Sequence, residues 1–415
     1  MLQLNFIRDN LDVVKEAARN KRCTVAFEQM VKLDNSRREF IQKVEELKAK
    51  QNAANHLIVQ NKKKNINSSQ SIAELRMLSQ KIKNIDAGLA DITKNLMNIL
   101  ITIPNIPHQS VPVGDEKNNK IIPEWGEKKQ FSFTPKDHVT IGENLGYFNM
   151  ERAAKITGSG FILFQNRGAH LERALINFMI DFHVKKHGYC EMSPPFIVNR
   201  MAMMGTGQLP KLEEDMYALK DDDFFLIPTA EVPITNIHRD EILSEDALPV
   251  KYVAYTPCFR REAGSYGKDT RGLSRVHQFD KVELVKIVRP ETSFDELEDL
   301  VTHAEAILQA LEIPYRVSLL ATGDLSFAAS KCYDLEVWAP GSERWYEVSS
   351  CSNFCDFQAR RANIRYKGNG KKTQFVHTLN GSGVALPRLM IALLENKQQK
   401  DGTIAFPEVL KPYVV

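Results

Sequence analysis

The chain has 415 residues, 43% of them hydrophobic and 26% charged, with a formal net charge of +3. That balance excludes disordered and collagen-like classes, and the length suffices for two or three domains. The longest apolar runs, such as Phe161–Phe164 and Pro194–Val198, fall far short of a bilayer span, and the start Met1-Leu2-Gln3-Leu4-Asn5 has no basic-then-apolar pattern, so a cytoplasmic protein without membrane contact is expected.

Charge is uneven along the chain. Residues 30–100 carry 13 Lys and Arg against 7 Asp and Glu, a balance of +6 that leaves −3 for the rest. A basic segment on a near-neutral body suits an appendage that binds a polyanion, although a solvated lysine-rich helix surface fits the charge equally well. Within the segment, Leu33, Arg37, Phe40, Val44, Leu47, Gln51, Ala54 and Ile58 recur at steps of four and three, a heptad seam with two polar interruptions. A second seam, Leu75, Leu78, Ile82, Ile85, Leu89, Ile92, Leu96 and Ile99, has none. The polar stretch Asn61–Ser69 between them predicts a reversal, with a serine capping the second helix, and hence an antiparallel hairpin.

Pro104, Pro107 and Pro112 end the helical pattern and mark a boundary. The predicted organisation is a helical hairpin over 1–103, a linker over 104–118 and a globular body over 119–415. In the body, helices at Ala169–Lys186 and Ser293–Leu311 alternate with strands at Phe224–Ile227, Tyr252–Phe259, Val276–Val288 and Trp345–Val348. The expected fold class is α+β, built on an antiparallel sheet flanked by helices. Neither a Walker A sequence nor G-x-G-x-x-G occurs, so P-loop and Rossmann nucleotide sites are unsupported.

Six cysteines, Cys23, Cys190, Cys258, Cys332, Cys351 and Cys355, are too few for a disulfide framework at this length and suggest reduced thiols. Cys351 and Cys355 lack a second close pair, which favours a buried or spectator role over zinc. His183 and His187 are four apart, but the intervening Val-Lys-Lys supplies no glutamate, so an ordinary helix surface is expected.

The densest chemistry lies in Pro257-Cys258-Phe259-Arg260-Arg261-Glu262-Ala263-Gly264, running on to Val276-His277-Gln278-Phe279-Asp280-Lys281-Val282-Glu283. Two strands joined by a glycine-containing loop would put Arg260 and Glu262 on one face, and Phe279, Lys281 and Glu283 on another. If the faces coincide, a cation, two carboxylates and an aromatic ring meet over one patch, suited to an adenine, a phosphate and an amino acid. An exposed salt-bridge ladder fits the same spacing.

These residues resemble the class II aminoacyl-tRNA synthetases, and the match narrows to the bacterial-type seryl-tRNA synthetases. Gly188-Tyr189-Cys190-Glu191-Met192-Ser193-Pro194-Pro195 is similar to motif 1, Phe259–Val285 to motif 2, and Gly381-Ser382-Gly383-Val384-Ala385-Leu386-Pro387-Arg388 to motif 3. Thr229-Ala230-Glu231 looks like the family's serine-recognition segment, Glu347-Val348-Ser349-Ser350 fits its ATP site, and the hairpin is its expected appendage, so the likeness spans the chain.

The resemblance implies ATP with Mg²⁺, L-serine and tRNA(Ser) as ligands, leaves tRNA(Sec) open as a second acceptor, and implies a homodimer through motif 1. Arg260 would hold the ATP α-phosphate and the serine carboxylate, Arg388 the γ-phosphate, and Phe279 would stack on adenine. Arg261, Glu262, Val276, Val348 and Ser349 complete the implied ATP site, with Glu347 and Ser350 as Mg²⁺ ligands. Thr229, Ala230, Glu231, Glu283, Asn380 and Ser382 would surround serine, whose small side chain must be identified by hydrogen bonds. Arg261 stands where the family commonly has a small polar residue, and nothing resembles the inserted zinc site of the archaeal branch, so no zinc is expected. A carrier-protein ligase without the basic arm and a non-catalytic RNA-binding scaffold without the motif arginines are the rival readings. This chain has the arm, Arg260 and Arg388.

Overall fold

The computed structural model describes residues 1–122, 124–263 and 271–414. Contacts divide the chain into two units, Leu2–Pro104 and Asn105–Val415, with Met1 counted in the second.

In the first unit, helices α1 (Phe27–Lys63) and α2 (Ser69–Leu100) pair along their length. At 37 and 32 residues they run about 55 and 48 Å. Val44 and Ile82 of the two seams are buried. The polar interruption at Gln51 is matched across the seam, where its Nε2 donates to Ser79 Oγ at 2.8 Å. Gly88 is needed beside Phe40, since a Cβ there would lie 2.9 Å from the ring. Near the base of the hairpin, Arg8 grips Asp34 with two bonds of 2.8 and 3.1 Å, the planar fork-to-carboxylate geometry.

The reversal differs in detail from the sequence expectation. Asn65 takes a left-handed conformation (φ +55°), and the amides of Ile66 and Asn65 bond back to Asn61 and Lys62, so α1 ends in a Schellman motif with asparagine in glycine's usual place. Ser68 does not cap α2 with its side chain. Instead Asn67 Oδ1 accepts the Ser69 amide at 2.9 Å, and the Ser68 hydroxyl donates to the Ile66 carbonyl.

The second unit is built on an eight-stranded sheet. In chain order its strands are β1 (Lys120–Ile121), β2 (Cys190–Glu191), β3 (Val250–Phe259), β4 (Gln278–Val288), β5 (Tyr315–Leu319), β6 (Lys331–Ala339), β7 (Arg344–Asn353) and β8 (His377–Ala385). They lie side by side as β1-β5-β6-β7-β8-β4-β3-β2. All pairs are antiparallel except β2 with β3. The antiparallel-dominated sheet agrees with the expected α+β class, and the long segment between β2 and β3 supplies the crossover that their parallel pairing requires.

Helices α3 (Arg167–His187), α4 (Ser293–Ala310) and α5 (Leu386–Lys397) pack against the sheet through a core that includes Leu171, Leu175, Met179, Leu297, Leu300, Leu389 and the β4 residues Val282 and Leu284. Strand alternation therefore turns Phe279, Lys281 and Glu283 the other way. Asn105 is tied into this unit, its Nδ2 donating to the carbonyls of Ala328 and Phe354.

His183 is not on a helix surface as expected. It is fully buried in α3, its Nδ1 3.0 Å from His187 Nδ1, and burial together with His187 pushes its pKa down to about 3. No helix among the described residues is long and apolar enough to cross a membrane.

Candidate active site

On the face of the sheet to which Phe279 and Lys281 turn lies a cavity of about 540 Å³. Its walls include Thr229, Glu231, Arg260, Glu262, Val276, Phe279, Glu347, Val348, Ser350, Asn380, Ser382 and Arg388. Residues from five separate stretches of chain thus meet in one space. Among the residues singled out in the sequence, Ala230, Arg261, Ser349 and Glu283 do not line it. Ala230 is buried, Arg261 is exposed with its amide bonded to the Asp215 carbonyl, and Ser349 turns inward to donate to the Ser382 carbonyl at 2.6 Å.

Register brings the motifs together. In β3 and β4, Cys258 opposes Phe279 and Ala254 opposes Glu283, while in β8 Ser382 opposes Glu283 from the other side. The strand stops at Phe259, one residue short of Arg260, so strict alternation does not place Arg260 and Glu262 together as expected. Their common orientation arises because Arg260 keeps one further backbone bond, to the His277 carbonyl, and Glu262 then adopts φ +50°. The glycine-containing loop read in the sequence, residues 264–270, lies outside the described residues.

Two bulges set the other walls. Glu347 and Ser350 are three apart, which in a regular strand puts them on opposite faces, yet both line the cavity. The register shift between Glu347 and Ser349 inserts Val348 as an extra residue and restores the common face. A second shift between Ser382 and Val384 does the same for Ser382 and Ala385.

One end of the cavity is cationic and aromatic. The Arg260 guanidinium lies 5.1 Å from the Phe279 ring centre and its Nε donates to the Pro228 carbonyl at 3.3 Å, which fixes a planar, permanently charged fork. Arg388 sits in the first turn of α5, anchored by Nε on the Ser274 carbonyl and by Nη1 on the Glu347 carbonyl, 3.5 Å from the Glu347 carboxylate. An arginine at a helix N-terminus is a favourable place for a polyphosphate.

The other end is a small, polar, buried pocket. Thr229 Oγ1 accepts from the Glu231 amide and from Lys281 Nζ, at 3.2 and 2.9 Å. Glu283 receives Asn380 Nδ2 at 2.8 Å and pairs with Lys281 at 2.5 Å. Glu231 is held by Gln358 Nε2 at 2.6 Å, while Gln358 Oε1 accepts from Thr378. Burial, and next the neighbouring Glu283, push the Glu231 carboxyl up to about 7. Two residues here have no assigned role in the sequence reading. Lys281 was visible only as sharing a face with Glu283, and Gln358 carries no motif or periodicity that would single it out.

Metal ligands are sparse. Among the described residues no group of three or more His, Cys, Asp or Glu side chains could hold an ion. Glu347 and Ser350 do offer a half-exposed carboxylate and a hydroxyl on one wall, the hard oxygen donors that suit a cation held mainly by phosphate and water.

Comparison with known proteins agrees with this construction. The family model described as the tRNA synthetase class II core domain (G, H, P, S and T) matches residues 215–397, and that of the seryl-tRNA synthetase N-terminal domain matches residues 1–107. The chain is 54% identical to a serine–tRNA ligase of Syntrophobacter fumaroxidans, over 100% of this chain and 98% of that one. It is 53% identical to that of Thermodesulfovibrio yellowstonii, over 100% and 99%. Among solved structures, the seryl-tRNA synthetase of Pyrococcus horikoshii complexed with ATP superposes with a TM-score of 0.92 at 37% identity, covering 100% of this chain and 98% of that one. With a synthetase-type sheet, the motif residues gathered on one wall and full-length relatives at this identity, the chain belongs to the seryl-tRNA synthetases, aminoacyl-tRNA ligases of class II.

Proposed function

We propose that the cavity binds L-serine and ATP side by side, forms seryl-adenylate, and passes the seryl group to tRNA(Ser). The observation that carries this reading is the place of Arg260, which lines the same cavity as the polar Thr229–Glu231–Asn380–Ser382 pocket and the Phe279–Arg388 end. A serine carboxylate oxygen attacks the α-phosphorus, the bond to the β-phosphate oxygen breaks, and pyrophosphate leaves. Arg260 holds both oxyanions through that step, so catalysis is orientation and charge stabilisation. The terminal ribose hydroxyl of the tRNA then attacks the acyl carbon and AMP departs.

ATP lies with its adenine on Phe279 and against Val276, and its γ-phosphate on Arg388. Glu262 and Val348 complete its surroundings, Ser349 supports that wall from behind through the Ser382 carbonyl, and Arg261 adds positive charge nearby. Glu347 and Ser350 would hold Mg²⁺. When bound, that ion would neutralise phosphate oxygens. Thr229, Glu231, Asn380 and Ser382 line the serine pocket, with Ala230 and the Glu283 carboxylate buried directly behind them. The ATP complex of the Pyrococcus relative supports ATP as the nucleotide.

The hairpin of residues 1–103, joined through 104–118 to the catalytic body of 119–415, is the proposed grip on tRNA, with tRNA(Sec) as a further acceptor to test. The motif 1 segment around Gly188–Pro195 is the proposed contact in a cytoplasmic homodimer with isologous contacts. Amino-acid-dependent ATP–pyrophosphate exchange across the twenty amino acids tests the assignment. Serine should dominate, and equal exchange with alanine or threonine overturns the specificity.

A further inference from the structure

Lys281 is buried to 6% exposure, an unusual place for an ammonium group unless it is paired. Its Nζ joins two elements 52 positions apart in sequence, lying 2.9 Å from Thr229 Oγ1 and 2.5 Å from Glu283. Asn380 engages the other oxygen of the same carboxylate at 2.8 Å. Glu283 is thereby fixed from two strands. The Lys281 ammonium spends one of its three donors on the Thr229 hydroxyl, while Glu283 Oε2, ion-paired with Lys281, has no hydrogen-bond donor among the described residues and is left to accept one.

We propose that Lys281 is a positioning and specificity-determining residue of the amino-acid pocket, clamping the Glu283 carboxylate and the Thr229 hydroxyl in the arrangement that accepts the hydroxyl and ammonium of serine. The inference rests on the reading of this end of the cavity as the serine pocket. It follows from charge as much as from distance. Glu231 and Glu283 are both buried here, and among the described residues Lys281 and Arg260 are the cations that act on Glu231. Removing Lys281 takes away the cation beside the Glu283 carboxylate and the donor that holds the Thr229 hydroxyl, so neither group is kept in place. A Glu283 held only by Asn380 no longer presents its oxygens to the serine hydroxyl in one fixed arrangement, so discrimination against alanine falls together with affinity.

The test is steady-state pyrophosphate exchange with Lys281→Met, Glu283→Gln and the double variant, each compared with the parent by thermal melting. Lys281→Met should raise the KM for serine roughly 30-fold or more, keep the KM for ATP within about threefold, and narrow the preference for serine over alanine. The double variant should match Glu283→Gln alone, because the lysine acts through the glutamate. A folded Lys281→Met with an unchanged serine KM overturns the inference. If that variant does not fold, the double variant, which holds no uncompensated charge, decides: a serine KM more than about tenfold above that of Glu283→Gln refutes the clamp. Glu283→Gln with parental serine KM overturns instead the serine-pocket reading on which the clamp rests.

Discussion

The hairpin and the catalytic cavity show two ways in which a sequence can specify a function. In the hairpin every element of the design is repeated and local: a seam of apolar residues, a five-residue reversal, and partners such as Gln51 with Ser79 that follow from sliding one helix along the other. In the cavity nothing repeats. Thr229, Lys281, Glu347 and Ser382 meet through strand register and two bulges, so each depends on neighbours far away in sequence. The hairpin should therefore tolerate excision as a unit, whereas the cavity should respond to single atoms.

Excision gives the largest expected effect. Deleting residues 42–87 and closing the gap with a short Gly/Ser linker retains the Arg8–Asp34 pair and the packing of Phe40 on Gly88. Serine-dependent pyrophosphate exchange should stay close to the full-length value while aminoacylation of tRNA(Ser) falls about a thousandfold or more. A folded deletion that charges tRNA(Ser) at the parental rate removes the hairpin from recognition.

Arg260→Ala should show the converse separation. Removing a charge-assisted hydrogen bond from a desolvated site costs about 2–5 kcal/mol, or roughly 30- to several-thousand-fold in exchange, with tRNA affinity unchanged. Parental exchange rates in the folded variant exclude Arg260 from the chemistry.

The pH dependence sharpens the contrast further. The Glu231 carboxyl sits near 7 rather than in the ordinary carboxylate range, so below pH 7 it gains a proton and loses its attraction for a substrate ammonium. Serine affinity should weaken by up to about tenfold per unit as pH falls below 7 and level off above it. Glu231→Gln should flatten the profile, and titrations of serine binding between pH 5.5 and 8.5 decide it, an identical break in the variant assigning the effect to another group.

The smallest effect belongs to the hairpin tip. Neutralising Lys62, Lys63 and Lys64 should lower the salt dependence of tRNA binding by about 0.7–0.9 in log–log slope for each phosphate that the tip no longer neutralises. An unchanged slope places the tip away from RNA.

Much of the architecture was legible in the residues themselves. The period of the two seams gave both long helices, and β-branched and aromatic runs located β3 and β4 to within two residues, but only the first half of β7, whose polar second half from Ser349 to Asn353 carries no strand pattern. Less visible was whatever depends on three-dimensional competition. Ser68 had the right chemistry to cap α2, but Asn67, one residue earlier, reaches the Ser69 amide. His183 looked like a surface residue because spacing says nothing about which helix face meets a sheet, and it proves to be core. In the cavity, the composition of the β3–β4 region suggested a phosphate and amino-acid site, while the roles of Glu347, Ser350 and Ser382 came from family resemblance. Alternation alone assigns Glu347 and Ser350 to opposite faces, and Gln358 and Lys281 acquire meaning only beside Glu231, Thr229 and Glu283.

The bulge at Val348 makes the arrangement of ligands a matter of parity. Between Glu347 and Ser350 the chain needs an odd offset to present both side chains to the same wall, and Val348 supplies it by standing opposite nothing in β6. With Val348 deleted, Glu347 and Ser350 would stand two apart, the spacing that a regular strand turns to one wall, whereas one residue inserted between Ser350 and Asn353 would swing everything beyond it through half a turn. A neighbouring offset at Gly383 in β8 is read against the first, as two scales of a vernier are, since β7 and β8 are paired from Cys351 to Asn353. Single-residue insertions and deletions in the regular runs of these two strands should therefore be far more damaging than substitutions at the same positions, and a compensating change of count in the same strand should restore what no replacement of side chain can.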